Sequence, residues 1–232
     1  MKDDELEEVA FIKLAKLLHK QKLSNINDID KLFNPSDYLV SPFNSTKKFI
    51  ENKYFLTHQQ ESVKVKIIDV LEDNTKANFF AVIGGAGTGK TLLTYDIAKE
   101  MIKNAKKVLV IHCGYLNDGQ SILNSKYNWK IIEIKHYKNY KLSDYDLIIV
   151  DEAQRIYSNQ FQDIVKKIEE NNGNCIFSYD KVQILSTWEE KNNIDNQINK
   201  IPSIKSYKLS EKIRTNKSTI MKTGENLTKK TN

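Results

Sequence analysis

The sequence predicts an α/β fold, a parallel sheet flanked by helices, on three observations. Short apolar runs alternate with helix-like patterns along most of the chain, and that alternation implies β-α units joined by right-handed crossovers. The run Phe79 to Ile83 leads into Gly84-Gly85-Ala86-Gly87-Thr88-Gly89-Lys90-Thr91, and Leu92 to Met101 leave that loop in a helical pattern. The run Leu147 to Val150 is apolar throughout, as a strand buried on both faces reads, and it ends in Asp151 and Glu152.

Composition sets the outer limits. The chain has 232 residues, 40% of them hydrophobic and 28% charged, enough for a core and a solvated surface. No apolar run approaches a membrane span, so no membrane partner is expected. Met1-Lys2-Asp3-Asp4-Glu5 lacks the character of a secretory leader. Cys113 and Cys175 lie at the ends of apolar runs and read as reduced core thiols of a cytoplasmic protein. The net charge of +6 is carried almost wholly by lysine. It permits nucleic-acid binding without demanding it, and a solvated lysine surface explains it at least as well.

The N-terminal residues 1–53 read as a helical appendage. Leu6, Ala10, Leu14, Leu17 and Leu18 form a stripe over residues 3–21, with Val9 and Phe11 beside it. Ile26, Ile29, Leu32 and Phe33 mark a second short helix that Asn34-Pro35 ends. Residues 34–45 read as a connector, and Ser45 or Thr46 is placed to cap a third helix through Ile50. The main domain is set at 54–216. Thr57 and Gln60 have capping-box spacing at the start of a helix carrying Val63, Ile67, Ile68 and Leu71. Strands are expected at 79–83, 107–112, 130–134, 147–150, 175–179 and 204–209. Helices are expected at 90–104 and, most clearly, at 159–170 and 188–199. The segment 122–145, with five aromatic residues among lysines, shows the least regular pattern. Residues 217–232 form a basic tail.

The chemistry concentrates in two places. Residues 84–91 fit the phosphate-loop pattern, with Gly84, Gly89, Lys90 and Thr91 in its fixed positions. Its glycines let backbone N–H groups turn inward, and the helix that follows presents its N-terminus to an anion. Lys90 is placed to reach the β- and γ-phosphates of ATP, and Thr91 to hold Mg²⁺ through its hydroxyl. Asp151 ends a strand beside the loop, where open α/β sheets bind ligands. It would hold the same Mg²⁺ through a water, and Glu152 would polarise the attacking water. An acid for the metal and a second for the water point to hydrolysis rather than to holding the nucleotide.

With these residues in view, the chain resembles superfamily 1 DNA and RNA helicases, closest to the Schlafen-type ATP-binding group. Asp151-Glu152-Ala153-Gln154 resembles the family's D-E-x-Q signature. Leu56-Thr57-x-x-Gln60 resembles its glutamine motif. Ser178-Tyr179-Asp180-Lys181-Val182-Gln183 resembles motif III with Tyr179 in place of glycine, and Leu209 to Asn216 resembles motif IV. The resemblance implies a RecA-like P-loop NTPase lobe. It implies that Gln60 contacts adenine, that Gln154 and Gln183 sense the γ-phosphate, and that Arg214 stabilises transition-state charge. It also implies single-stranded nucleic acid as a partner. His112 to Asn117 stand where the family's strand-binding motif falls, without its usual hydroxyls, and Tyr115 there is suited equally to a base or to packing. Only 16 residues follow Asn216, so a second lobe would come from a partner or from further chain. The rival reading is a regulatory ATP-binding switch that acts on a protein partner without nucleic acid.

Overall fold

The computed structural model describes residues 40–71, 76–181 and 193–210. The chain divides into two compact units between Ser36 and Asp37, and the described residues belong to the second. The helices expected at 3–21 and after Ser24, the basic tail, Gln183 and Arg214 lie outside them.

Helix α1 is Thr46–Ile50 and α2 is His58–Leu71. Strand β1, Asn78–Gly84, feeds the glycine loop, and α3, Lys90–Lys103, leaves it. Then follow β2 (Val108–His112), α4 (Asp118–Tyr127), β3 (Ile131–Glu133) and two 3₁₀ turns at Ile134–Asn139 and Leu142–Asp144. Strand β4 is Leu147–Asp151, followed by a 3₁₀ turn at Ala153–Arg155 and by α5, Ser158–Glu170. Strand β5 (Asn174–Tyr179), α6 (Ile194–Asn199) and β6 (Lys205–Leu209) complete the unit. The strands run in the order β3-β2-β4-β5-β1-β6, and every pairing is parallel. This is the expected parallel sheet flanked by helices. Each strand lies within about a residue of its expected limits.

Alternation along the strands feeds two cores. Phe80, Val82, Val110, Ile149 and Ile176 face α2, α3 and α4. Phe79, Ala81, Ile111, Val150 and Phe177 face α5 and α6. Period-two alternation explains the split, because neighbouring side chains on one strand point to opposite faces. Strand β6 sits at the edge, where exposed Lys205 and Lys208 discourage pairing with another chain.

Two local findings differ from expectation. Residues 118–127, within and beside the segment judged irregular, form α4. Asn117 accepts from Gln120 N at 3.1 Å and the Gln120 side chain returns to Asn117 N at 3.0 Å, a complete capping box. At α1, Ser45 takes the N-cap position without a side-chain bond, while Thr46 Oγ1 donates to Pro42 O at 2.9 Å. The cysteines are free and buried. Burial pushes both thiols above their ordinary value, so neither is a ready nucleophile.

Residues 40–54 share the core of the sheet. Phe49 is fully buried, stacks on Tyr54 at 5.4 Å and meets the edge of Trp129 at 6.0 Å. Lys99 of α3 donates to Phe49 O at 3.0 Å and lies 4.4 Å over the Phe49 ring. Phe49→Ala should therefore cost about 3–5 kcal/mol, the usual loss for an aromatic removed from a core. Chemical and thermal melts of the variant check this. A loss under about 1 kcal/mol would show that these residues fold apart from the sheet.

Candidate functional site

The described residues expected from the sequence to meet phosphate or metal stand at one edge of the sheet, at the C-terminal ends of β1 and β4 with β5 between them. Parallel pairing puts them there. Because β5 lies between β1 and β4, the glycine loop and Asp151 stand two strand spacings apart, roughly 10 Å. That gap suits a phosphate chain and a hydrated cation.

The loop itself is tightly closed. Gly87 and Gly89 have φ of 80° and 76°, the left-handed region that side chains rarely adopt. Gly89 is also the N-cap of α3, so the turn delivers the helix N-terminus directly to the cavity of the loop. Gly85 O gathers the loop: Thr88 Oγ1 donates to it at 2.9 Å and Lys90 Nζ at 3.2 Å. Lys90 is only 7% exposed, so its ammonium is confined to the loop's interior. One of its three protons is used there, and the others remain for an anion. Gly84 ends β1 opposite Leu209 of β6, while Gly85 and Ala86 form the outer rim and Thr91 opens α3.

Gln60 binds the loop from behind. Its Oε1 accepts Thr57 N at 2.8 Å, and Thr57 Oγ1 accepts Gln60 N at 3.2 Å, the expected capping box. Its Nε2 donates to Thr88 O at 3.0 Å. The buried amide is thus engaged at both ends, with the start of α2 and with the loop.

Asp151 is 1% exposed at the end of β4. Its Oδ2 lies 3.3 Å from His112 Nδ1, and its Oδ1 is buried without a hydrogen-bond partner among the described residues. An orphaned buried carboxylate oxygen is costly unless something binds it, and a cation or its coordinated water fits. No group of three or more His, Cys, Asp or Glu capable of holding a metal exists among the described residues.

Glu152 adopts φ 56°, ψ 40°. A non-glycine residue there carries strain, which tends to collect at functional sites. The kink turns the chain out of β4 into the 3₁₀ turn. Gln154 Nε2 donates to Glu152 Oε2 at 2.6 Å and Gln154 Oε1 accepts Asp180 N at 3.3 Å, tying the acid to the end of β5. Gln154 thus spans the two positions that the sequence had placed in separate motifs. Of the motif III residues, Ser178 and Tyr179 end β5 and Asp180 is buried just beyond. Arg155 Nη1 lies 3.7 Å from where a Cβ on Gly114 would stand, and its Nε is buried without an acceptor among the described residues. Tyr115 is 85% exposed on the loop after β2, with Lys135 Nζ 5.5 Å from its ring.

The sequence reading missed His112 as a neighbour of Asp151. Both residues close a strand, which was visible, but their pairing depends on β2 lying beside β4.

Phosphate loop, acid-tipped strand and intervening strand together define a P-loop ATPase of RecA-like architecture. A family model for the Schlafen group 3 DNA/RNA helicase domain matches residues 77–222, well over half of the chain. The chain belongs to that family of helicase domains. No curated protein matches it. Among solved structures, a DNA replication initiation factor is similar at 18% identity and a TM-score of 0.49, over 79% of this chain and 55% of that one. The replication initiator DnaA bound to AMPPCP and single-stranded DNA is similar at 18% identity and a TM-score of 0.46, over 77% of this chain and 53% of that one. The DnaC helicase loader is similar at 11% identity and a TM-score of 0.45, over 69% of this chain and 96% of that one. The chain spans about half the length of the first two. No helix among the described residues is long and apolar enough to cross a membrane.

Replacing Gln60 by leucine keeps its bulk and removes both ends of the latch. It should cost about 1–3 kcal/mol for the buried groups left unpaired. ATP and GTP affinities should fall together, because the amide acts on the loop. Melting curves and nucleotide titrations check both points. A loss confined to ATP would assign the amide to the base instead.

Proposed function

We propose that this domain binds Mg²⁺-ATP at the C-terminal edge of its sheet, hydrolyses it, and couples the cycle to single-stranded nucleic acid through a second lobe. The observation that carries the reading is the orphaned Asp151 Oδ1 across the β5 gap from the closed phosphate loop. In this reading the loop amides of residues 84–89 and Lys90 hold the β- and γ-phosphates. Thr91 and Asp151 hold Mg²⁺, which neutralises charge on the phosphate oxygens. Glu152, steadied by Gln154, orients the attacking water and takes its proton. Gln154, bonded to Asp180 at the end of β5, is placed to pass the state of the γ-phosphate to the residues that follow. Gln183 and Arg214 are assigned by the family resemblance to that sensing and to transition-state charge. Nucleic-acid binding rests on family membership and on the +6 charge.

Three variants test the assignment in purified protein. Lys90→Ala should weaken nucleotide binding and abolish turnover. Glu152→Gln should keep nucleotide and metal bound while slowing hydrolysis about 10²-fold or more, the scale for losing a positioned base. Asp151→Asn should weaken the metal instead. Identical behaviour of the last two in a binding titration would refute the division of roles. Single-strand binding should weaken steeply with salt, because phosphate contacts release counterions. Turnover without a second lobe should be slow and duplex unwinding absent. A supplied arginine is worth about 10³–10⁵ in rate at such sites. Robust unwinding by this chain would overturn the one-lobe reading. Strand binding that is absent even at low salt would favour a switch acting on a protein.

A further inference from the structure

We propose that His112 is a positioning residue for Asp151, and that Phe43, which precedes the family-matched region, holds His112 in place. The inference rests on the metal-holding role given to Asp151 above. Strand register sets it up: His112 and Asp151 are Cα partners at the ends of β2 and β4. The imidazole is 12% exposed and the carboxylate 1%, with Nδ1 3.3 Å from Oδ2. An ionised carboxylate only accepts, so Nδ1 carries the proton of this bond. One carboxylate oxygen is thereby fixed and the other, Oδ1, which has no partner among the described residues, is left for a cation or its water. Groups that bond a ligating carboxylate from behind fix its orientation, and their loss typically costs 10–100-fold in metal affinity.

His112 is itself enclosed. The ring of Phe43 meets it edge-on at 6.4 Å, and the same ring meets Tyr95 edge-on at 5.1 Å. Tyr95 is fully buried in α3, and its hydroxyl accepts Gln120 Nε2 from α4 at 3.1 Å. On the far side of the imidazole, a Cβ on Gly114 would stand 3.1 Å from Nε2. The Phe43 backbone is seated more closely still: a Cβ on Gly119 would stand 2.1 Å from Phe43 O. The bond from Thr46 Oγ1 to Pro42 O holds that stretch in shape. A chain of contacts therefore runs from residues 42–46 through Phe43 and His112 to the acid at the metal edge. A histidine that merely fills space would leave metal affinity untouched when replaced by any polar residue of similar bulk.

That difference gives the experiment. Mn²⁺ is the probe, and its binding to the full chain with excess ADP is measured from the free-ion paramagnetic resonance signal. ADP affinity in chelator serves as the control for the fold. An asparagine amide nitrogen reaches the place of Nδ1, whereas a glutamine amide nitrogen reaches the place of Nε2. His112→Asn should therefore stay within about threefold of the wild-type Mn²⁺ affinity, and His112→Gln should lose about tenfold, with ADP affinity in chelator unchanged in both. Phe43→Ala should lower Mn²⁺ affinity in the same sense, by about threefold. Equal Mn²⁺ affinity in the asparagine and glutamine variants overturns the positioning role. Unchanged affinity in Phe43→Ala removes that residue from the chain of contacts. Asp151→Asn separates the two levels: if it too binds Mn²⁺ like wild type, the metal reading of Asp151 falls. If it alone loses the metal, only the role of His112 falls.

Discussion

Strand β5 stands between β1 and β4, and the nucleotide edge depends on that placement. Were β4 paired directly with β1, Asp151 would stand a single strand spacing, about 5 Å, from the phosphate loop. The room that the proposed γ-phosphate, cation and water need would be gone. The inserted strand opens the gap and also supplies its floor. Ser178 pairs in register with Asp151 on one side and with Val82 on the other. Asp180 N, one residue beyond the strand, anchors Gln154. The strand sets the distance and the loop beyond it sets the orientation of Glu152.

The same sheet pairs several of its buried polar groups with one another. At its opposite edge, Asn78 Nδ2 donates to Asn174 Oδ1 at 3.0 Å and Asn174 Nδ2 donates to Asp146 O at 3.1 Å. Those amides satisfy one another across three strands. Buried Asp96 of α3 forms an ion pair instead, with Lys64 Nζ of α2 at 2.7 Å. Asp151 Oδ1, Ser178 Oγ and Arg155 Nε depart from that pattern: each is buried without a hydrogen-bond partner among the described residues, although a native core normally pairs its polar atoms.

Much of this was legible in the sequence, and the limits have physical reasons. Strands buried on both faces write themselves as apolar runs, so β1, β4 and β5 could be read directly. Thr57 and Gln60 announced their capping box because caps are local. Helix α4 was overlooked because only Leu123 among its apolar residues is deeply buried, although the spacing of Asn117 and Gln120 carried the signal. Contacts between distant residues were not legible at all. The bond from Gln60 to Thr88 spans 28 positions, and that from His112 to Asp151 spans 39. Each exists because helices and strands pack in one order among several that the same patterns allow.

The family match opens at residue 77, yet the apolar surface does not end there. Val63, Ile67 and Leu71 of α2 and Phe49 of α1 cover the same face of the sheet as Phe80, Val82 and Leu93. Boundaries drawn from similarity mark where a family keeps its residues alike, which differs from where a folding unit closes. A protein trimmed to the matched region would carry a bare apolar face of at least a few hundred Å², the size at which soluble proteins begin to associate. Its glycine loop would also lose the glutamine behind it. Such a fragment would hold the phosphate loop and the acid-tipped strand, and would still be the wrong piece to cut.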